Sequence, residues 1–247
     1  MVEKFCDLFI FNYIEQWQSL TKKRDVMLLS HKAVLFDMDG VLVDTEPVIQ
    51  AAAIEGLAEY GVDAKPEDFI PFIGAGEDRF IGGVAEKYDL AYKPEMKDRV
   101  YQIYFRIVRD RIRLHKGAKN CLGWLQKNGI VAALVSSADR IKIAANLEAA
   151  GLEPRLFAEI ISAENVVHKK PAPDIYFEAA KRLSFLPENC IVIEDAITGI
   201  QAAKAANMIC IAVTTTFARE KLEPHHPHYI CDDLDQALDI LKKVLIQ

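Results

Sequence analysis

Acidic residues follow short apolar runs at two widely separated places in the chain. Asp37 and Asp39, with Gly40 beside them, come after one such run, and Glu194 and Asp195 come after another. Adjacent carboxylates repel one another and raise each other's pKa unless a cation joins them. Oxygen ligands select hard ions, and so few carboxylates leave positions for water and a substrate phosphate. The pattern therefore predicts a Mg²⁺ site.

A hydroxyl and an ammonium group follow two further apolar runs. Ser136 ends the run 130–135, and Lys170 stands a few residues after the run Glu159–Ile161. Beside a metal-binding acidic group, such donors suit the oxygens of a phosphoryl group. The four places together indicate phosphoryl chemistry.

Short apolar runs alternate with helical periodicity along most of the chain. The runs that predict buried parallel strands are 33–36, 130–135, 159–161, 190–193 and 209–213. The stretches that predict helices between and after them are 139–150, 173–183, 197–206 and 233–244. This alternation predicts an α/β fold with a doubly wound parallel sheet, Rossmann-like in type. Because ligands bind at the carboxyl ends of such strands, the polar residues above are expected to share one edge.

The first crossover is far longer than a parallel pair of strands requires. Residues 45–116 contain no convincing strand and predict helices at 48–60, from Pro66, and at Glu77–Lys87 and Pro94–Arg111. We expect an all-helical domain inserted after the first strand. The expected division is a helical extension at 1–29, a core domain at 30–45 and 117–247, and the inserted domain at 46–116.

The N-terminal extension has aromatic residues at every fourth position. Phe5, Phe9, Tyr13 and Trp17 would lie on one face of a helix. This spacing predicts an amphipathic helix packed on the body of the protein, which we favour over a helix that binds a membrane surface or a partner.

Composition narrows the classes of function. The 247 residues carry 30 Lys and Arg against 36 Asp and Glu, a net charge of -6, which disfavours a nucleic-acid-binding surface. The five cysteines are scattered and form no C-x-x-C pair, as expected in a reducing compartment. No apolar run approaches the roughly 20 residues of a membrane span. We expect a cytoplasmic protein, monomeric or weakly dimeric, with an organelle such as a plastid left open.

Four segments carry a resemblance to a known family. They are VLFDMDGVLVDTE at 34–46, VSS at 135–137, KKPAPD at 169–174 and VIEDAITGIQAA at 192–203. In this order they resemble the four motifs of the haloacid dehalogenase-like hydrolases, in the subgroup of beta-phosphoglucomutase and the sugar-phosphate phosphatases. The resemblance covers about residues 32–217 and implies that the inserted helices form a cap domain over the active site.

The resemblance also implies roles for the acidic residues. Asp37 would be the nucleophile that forms an aspartyl-phosphate, and Asp39 the general acid and base. Mg²⁺ would bind Asp37, the backbone carbonyl of Asp39 and the carboxylate of Asp195, with Glu194 on the ion or close behind its ligands.

Substrate contacts follow from the same resemblance. Ser136, Ser137 and Lys170 would bind phosphoryl oxygens, and Lys170 would also restrain the nucleophile. In the chain that enters the cap, Thr45 and Glu46 would either touch the substrate or cap the next helix. The cap loop that selects substrate in this family makes the nearby charged residues Glu77 and Arg79 further candidates.

We therefore predict a Mg²⁺-dependent phosphatase of small phosphorylated metabolites, with sugar phosphates favoured. One alternative is a sugar phosphomutase, although Ile49 stands where the mutase branch has a histidine and Glu77 where it has an arginine. Alternatives from other classes are a phospho-accepting receiver-like domain, which the long insert disfavours, and a scaffold without catalytic activity. A dehalogenase is disfavoured by Asp39, because attack on carbon requires no leaving-group acid.

Overall fold

A computed structural model describes residues 32–245 of the chain. The helix predicted within residues 1–29 lies outside the described residues. Across residues 32–245, no helix is both long and apolar enough to cross a membrane.

Eight strands form two sheets in the described part of the chain. In chain order they are β1 (Ala33–Phe36), β2 (Val43–Asp44), β3 (Arg113–Leu114), β4 (Val131–Val135), β5 (Glu159–Ile161), β6 (Cys190–Glu194), β7 (Ile209–Val213) and β8 (Tyr229–Cys231). Six of them form one sheet in the order β5-β4-β1-β6-β7-β8, and each neighbouring pair is parallel. This is the doubly wound sheet that the sequence predicts.

Helices flank this sheet and fill the long first crossover. In chain order they are α1 (Glu46–Ala58), α2 (Glu77–Lys87), α3 (Pro94–Arg111), α4 (Ala118–Lys127), α5 (Arg140–Ala150), α6 (Asp174–Leu183), α7 (Ile197–Ala205), α8 (Arg219–Leu222) and α9 (Leu234–Leu245). The short helix predicted from Pro66 is a pair of 3₁₀ turns, Pro66–Asp68 and Ile70–Phe72. Helices α1 to α3 form the inserted helical domain that the sequence predicts, referred to below as the cap.

The central strand β1 is buried on both faces, which explains its continuous apolar sequence. Its residues alternate between two hydrophobic clusters: Val34 and Phe36 belong to one, Ala33 and Leu35 to the other. The first cluster continues into buried residues of α1 and α3, such as Ile49 and Tyr104. The cap and one face of the sheet therefore share a hydrophobic core.

A two-stranded antiparallel ribbon joins the cap to the sheet domain. Val43 pairs with Leu114, and Asp44 pairs with Arg113, so the chain enters and leaves the cap side by side. Because β3 lies within residues 45–116, the expectation of a stretch without strands is wrong at that point. Such a strand gives no local signal, since its only partner lies far away in sequence.

Most predicted boundaries agree with the structure to within two residues. β1, β5, β7, α2 and α3 have the predicted bounds, whereas α1 begins at Glu46 rather than at residue 48 and ends at Ala58. The predicted elements do not include the ribbon, α4, α8 and the edge strand β8. Two-residue strands, edge strands and the four-residue α8 depend most on their neighbours, which explains why the local pattern did not reveal these three.

The packing of α1 on α3 generates a prediction about stability. Gly56 of α1 is buried, and a Cβ there would lie 2.8 Å from Cγ2 of Val100 on α3. We expect Gly56→Leu to lower the free energy of unfolding by about 1–3 kcal/mol, because the two helices must move apart. Chemical denaturation of the variant and the wild type measures this change.

The matched control is Gly123→Leu on α4. A Cβ at Gly123 meets no atom within 4 Å, and a leucine replaces a poor helix former there. We expect this variant to be as stable as the wild type or more so. Equal destabilisation of both variants would contradict the close packing inferred for α1 and α3.

Candidate active site

The loops at the carboxyl ends of three adjacent strands bring the predicted polar residues to one pocket. Asp37 follows β1, Ser136 follows β4 and Asp195 follows β6, and all three line the pocket. Lys170, from the loop between β5 and α6, lines it as well. The shared edge expected from the sheet topology is thus observed.

Asp37 is buried beside a lysine. Its Oδ1 lies 2.6 Å from Nζ of Lys170. Burial raises the pKa of Asp37 to about 7, against the lowering effect of Lys170, and the charges of Glu194 and Asp39 add to the rise. A cation near this carboxyl group would therefore favour its charged form.

Lys170 lies between two carboxylates, because its Nζ is also 2.6 Å from Oε1 of Glu194. Burial acts to lower the pKa of Lys170, but its two acidic neighbours, Asp37 and Glu194, outweigh burial and raise that pKa. The lysine is therefore held in its charged form at the floor of the pocket.

Both oxygens of Glu194 have partners in the protein. Oε1 accepts a hydrogen bond from the hydroxyl of Tyr176 at 2.7 Å as well as from Lys170, and Oε2 accepts the backbone N–H groups of Asp195 and Ala196 at 3.1 and 3.2 Å. A Cβ at Gly199 of α7 would overlap this carboxylate, so only glycine fits there. Glu194 is thereby held in place beside Lys170.

Asp195 is buried next to Gly40, the glycine of the first motif. Gly40 has a φ of +83°, and a Cβ there would overlap the Asp195 carboxylate. Burial raises the pKa of Asp195, and the charges of Glu194 and Asp37 raise it further. Asp195 and Asp37 are therefore two carboxylates that repel each other's charge.

Three donors converge on one oxygen of Asp39. Its Oδ1 accepts hydrogen bonds from the hydroxyl of Thr45, from Nζ of Lys142 at 3.2 Å and from Nδ2 of Asn146 at 3.3 Å. The Thr45 side chain makes no helix-capping hydrogen bond, so of its two predicted roles capping is not observed. The Asp39 side chain is thus positioned by Thr45, which directly precedes α1, and by two residues of α5.

Lys142 of α5 connects the sheet domain with the cap. It is 2% exposed, and its Nζ lies 2.7 Å from Oε1 of Glu77 at the start of α2. The ammonium also lies 5.6 Å from the ring centroid of Tyr104. A single buried cation thus contacts both Asp39 and the cap.

Sequence reasoning missed Lys142 and Asn146. The signal available was their spacing: they stand four residues apart in a helix that begins shortly after Ser136, so both lie on one face. A lysine and an asparagine on such a face indicate buried polar contacts.

Two cap carboxylates line the pocket as the sequence predicts. Burial raises the pKa of Glu46 to about 7, and Lys142 acts in the opposite direction. Glu77 is 8% exposed, and burial also raises its pKa. Its Oε2 has no hydrogen-bond partner within residues 32–245.

The serines after β4 differ in their contacts. Oγ of Ser136 accepts the backbone N–H of Ala138 at 3.0 Å. Oγ of Ser137 lines the same pocket and is buried without a hydrogen-bond partner in the described chain. Both hydroxyls therefore have hydrogen-bonding capacity for a group bound in the pocket.

Arg79 does not reach the pocket. Its Nη1 lies 2.7 Å from Oε2 of Glu86, and its guanidinium lies 4.9 Å from the ring centroid of Phe72. Two steps along a helix rotate a side chain by about 200°, so Arg79 faces away from the side on which Glu77 lies. The expectation of a substrate contact from Arg79 is not supported.

The side chains of the four predicted acidic ligands do not all meet around one point. Within residues 32–245, no three His, Cys, Asp or Glu side chains form a metal cage. Oδ1 of Asp39 is directed at Lys142, and both oxygens of Glu194 have partners in the protein, which leaves Asp195 and the second oxygen of Asp37, whose Oδ1 contacts Lys170. Two carboxylates fit Mg²⁺, which commonly takes one or two and completes its octahedron with water and substrate phosphate.

Polar contacts between α3 and the region around α5 hold the cap against the sheet domain. Asp139 accepts a hydrogen bond from the hydroxyl of Tyr101 at 3.1 Å and forms an ion pair with Lys97 at 2.9 Å. The hydroxyl of Tyr104 donates a hydrogen bond to Oδ1 of Asn146 at 2.6 Å. These contacts join the cap to the sheet domain.

Comparison with known proteins identifies the family. A model of haloacid dehalogenase-like hydrolases matches residues 31–207. Protein SUPPRESSOR OF QUENCHING 1, chloroplastic, from Arabidopsis thaliana is 44% identical over 82% of this chain, which spans only 20% of that protein's length. Fructose-1-phosphate phosphatase YqaB from Escherichia coli is 31% identical, over 74% of this chain and 96% of its own.

A solved structure has the same fold. The putative beta-phosphoglucomutase from Thermotoga maritima matches with a TM-score of 0.70 and 27% identity, over 87% of this chain and all of its own. The family match covers the first three strand-end loops and the acidic pair after β6, the same loops that build the pocket. The chain belongs to the haloacid dehalogenase-like hydrolase family.

Proposed function

We propose that the protein is a Mg²⁺-dependent phosphatase of small phosphorylated metabolites, with sugar phosphates the favoured class. The observation that carries the proposal is the buried Asp37, 2.6 Å from Lys170 at the floor of the pocket. A carboxylate so placed is a suitable nucleophile for phosphorus. The name of the E. coli relative, fructose-1-phosphate phosphatase, supports the substrate class.

The proposed reaction has two displacements. In the first, a carboxylate oxygen of Asp37 attacks phosphorus, the bond from phosphorus to the leaving oxygen breaks, and Asp39 gives that oxygen a proton. In the second, water attacks phosphorus, Asp39 takes a proton from it, and the bond between Asp37 and phosphorus breaks. Phosphate is released and both residues return to their starting forms.

The surroundings of Asp39 support its role as acid and base. Thr45, Lys142 and Asn146 all bond to Oδ1, so the carboxyl group has one fixed orientation. A proton donor must meet the leaving oxygen at hydrogen-bond distance, and such fixing achieves this. Lys142 is thereby proposed as a positioning residue for Asp39.

Phosphoryl oxygens would be bound by the hydroxyls of Ser136 and Ser137 and by the ammonium of Lys170. The unpartnered Oγ of Ser137 supports this assignment, because a bound phosphoryl oxygen would satisfy it. Charged donors fixed in a pocket with little water stabilise negative charge strongly.

Asp37, Asp195 and the backbone carbonyl of Asp39 would hold the ion. Mg²⁺ bound there would neutralise charge on the phosphoryl group. The contacts of Glu194 support a place behind these ligands, where it orients Lys170.

The domain division also remains a proposal: a core at 30–45 and 117–247, and a cap at 46–116 that opens to admit substrate and closes for chemistry. We propose a monomer or weak dimer in the cytoplasm or in a plastid. The word chloroplastic in the name of the Arabidopsis relative supports the plastid.

The first prediction concerns the two aspartates of the first motif. We expect Asp37→Asn to abolish phosphate release, because an amide cannot attack phosphorus. Asp39→Asn should lower kcat by about 10²–10⁴-fold, the usual contribution of a general acid and base. Phosphate release by purified variants measures both effects.

The matched control is Asp63→Asn, at an exposed aspartate paired with Lys65. It should retain wild-type activity, and all three variants should give the wild-type circular dichroism spectrum. Full activity in a folded Asp37→Asn or Asp39→Asn variant would refute the mechanism.

The second prediction concerns the ion. Chelation with EDTA should stop phosphate release, and added Mg²⁺ should restore it. Ca²⁺ should support little turnover, because its larger and looser coordination sphere misplaces nucleophile and phosphoryl group. Undiminished activity after exhaustive chelation would show that no divalent ion is needed.

The third prediction separates the phosphatase from a sugar phosphomutase. Ile49 and Glu77 line the pocket where the mutase branch has histidine and arginine, so an acid-base partner and a site for a second phosphate are both lacking there. With glucose 1-phosphate and a bisphosphate primer, we expect free phosphate to be the product. Stoichiometric glucose 6-phosphate with little free phosphate would favour the mutase instead.

A further inference from the structure

A buried tyrosine of the cap is linked to Asp39 through one intervening side chain. The hydroxyl of Tyr104 on α3 donates to Oδ1 of Asn146 at 2.6 Å, and Nδ2 of Asn146 lies 3.3 Å from Oδ1 of Asp39. Tyr104 and Asn146 are both fully buried. Two hydrogen bonds in sequence therefore connect α3 with the proposed acid and base.

The chemistry of the three groups sets the direction of these bonds. Burial raises the pKa of Tyr104, so its hydroxyl keeps its proton and donates a hydrogen bond to Asn146. An asparagine side chain has an acceptor oxygen on one side and a donor nitrogen on the other. With the oxygen bound to Tyr104, the nitrogen is turned toward Asp39. Tyr104 thus selects the orientation in which Asn146 donates to the carboxyl group.

The ring of Tyr104 is itself held by its neighbours. Nζ of Lys142 lies 5.6 Å from its centroid, and the ring of Phe105 meets it edge-on at 5.9 Å between centroids. Tyr104 also belongs to the hydrophobic cluster that the cap shares with one face of the sheet. A hydroxyl on so closely packed a ring has little freedom and can define the position of its partner.

Loss of this hydroxyl would affect Asn146 first. Its buried Oδ1 would lose the donor that the structure shows, and a buried polar atom without a partner is costly. A rotated or displaced amide no longer donates to Asp39. The carboxyl group would then keep two of its three donors, Thr45 and Lys142, and its position would be less well defined.

We propose that Tyr104 is a positioning residue that acts on Asp39 through Asn146. All three donors contact Oδ1 of Asp39, so Oδ2 is the oxygen available to give a proton to the leaving oxygen. Tyr104 helps to keep the carboxyl group in that orientation. This inference rests on the proposed phosphatase activity and adds a residue of α3 to the groups that position its acid and base.

The test removes the hydroxyl and compares two kinds of leaving group. An alkyl leaving group needs a proton from Asp39, whereas p-nitrophenolate leaves readily without one. The alkyl probe is whichever of fructose 1-phosphate, sorbitol 6-phosphate and phosphoglycolate the wild type hydrolyses best with Mg²⁺. We expect Tyr104→Phe to lower kcat/KM about tenfold for this probe and less than about twofold for p-nitrophenyl phosphate.

The ratio of the two kcat/KM values is the informative measurement. Each value reports the steps up to formation of the aspartyl-phosphate, before water uses Asp39 as a base. A merely structural role for Tyr104 would lower both values together. An unchanged ratio in a Tyr104→Phe enzyme with the wild-type circular dichroism spectrum would overturn the proposal.

The matched control is Tyr101→Phe, one turn earlier on α3. Its hydroxyl makes a hydrogen bond of the same kind between cap and sheet domain, to Oδ2 of Asp139 at 3.1 Å. We expect this variant to keep the wild-type ratio. An equal change of the ratio in both variants would assign the effect to general contact between cap and sheet domain and would also overturn the proposal.

A further variant tests the route through Asn146. Asn146→Ala should lower the ratio at least as much as Tyr104→Phe, and the double variant should lie within about twofold of Asn146→Ala, because residues that act in one chain are not additive. Multiplied effects in the double variant would contradict this route. If Tyr104→Phe does not fold, an unchanged ratio in Asn146→Ala overturns the proposal, and a lowered ratio supports it.

Failure of this inference is distinguishable from failure of the proposed function. Absence of phosphate release from every alkyl probe by the wild type with Mg²⁺ refutes the function. Hydrolysis of an alkyl probe with an unchanged ratio in Tyr104→Phe refutes only the role of Tyr104.

Discussion

Mutual repulsion of carboxylates is the constraint on which the pocket depends. Two buried lysines offset it, each held between two acidic partners: Lys170 between Asp37 and Glu194, and Lys142 between Asp39 and Glu77. Taking a charged group out of water costs several kcal/mol unless such pairing compensates it. The sheet edge supplies the rigid frame for this pairing, since loops after adjacent parallel strands converge there. Without one of these lysines, its two acidic partners would lose the cation that offsets their charge.

The two lysines have different places in the architecture. Lys170 and Asp37 lie in loops of the sheet domain and Glu194 ends β6, so that group includes no residue of the cap. Lys142 pairs with Asp39 on one side and with Glu77 of α2 on the other, so it joins the sheet domain to the cap. The position of the proposed acid and base is thus connected directly to a residue of the cap.

The sequence was most informative about functional residues that come directly after a buried strand. Asp37, Ser136 and Asp195 were found because each comes after a continuous apolar run, and Lys170 because its motif stands in order with theirs. Lys142 was missed because it lies inside a helix, where no apolar run ends to mark a functional residue. Arg79 was expected at the site because the resemblance places a substrate-selecting loop there, but the turn of α2 directs it away. The ribbon of β2 and β3 depends on pairing across the whole cap, which no local pattern records.

The buried pair of Glu77 and Lys142 has an evolutionary consequence. A neutral residue at position 77 removes one of the lysine's two partners, and a neutral residue at position 142 leaves two carboxylates without theirs. Each single change therefore costs stability or disturbs Asp39, and a simultaneous change of both keeps the net charge but still takes Lys142 away from Asp39. Among descendants of this chain, substitutions at these two positions, one in the cap and one in the core, are expected to occur together and with a further change beside Asp39.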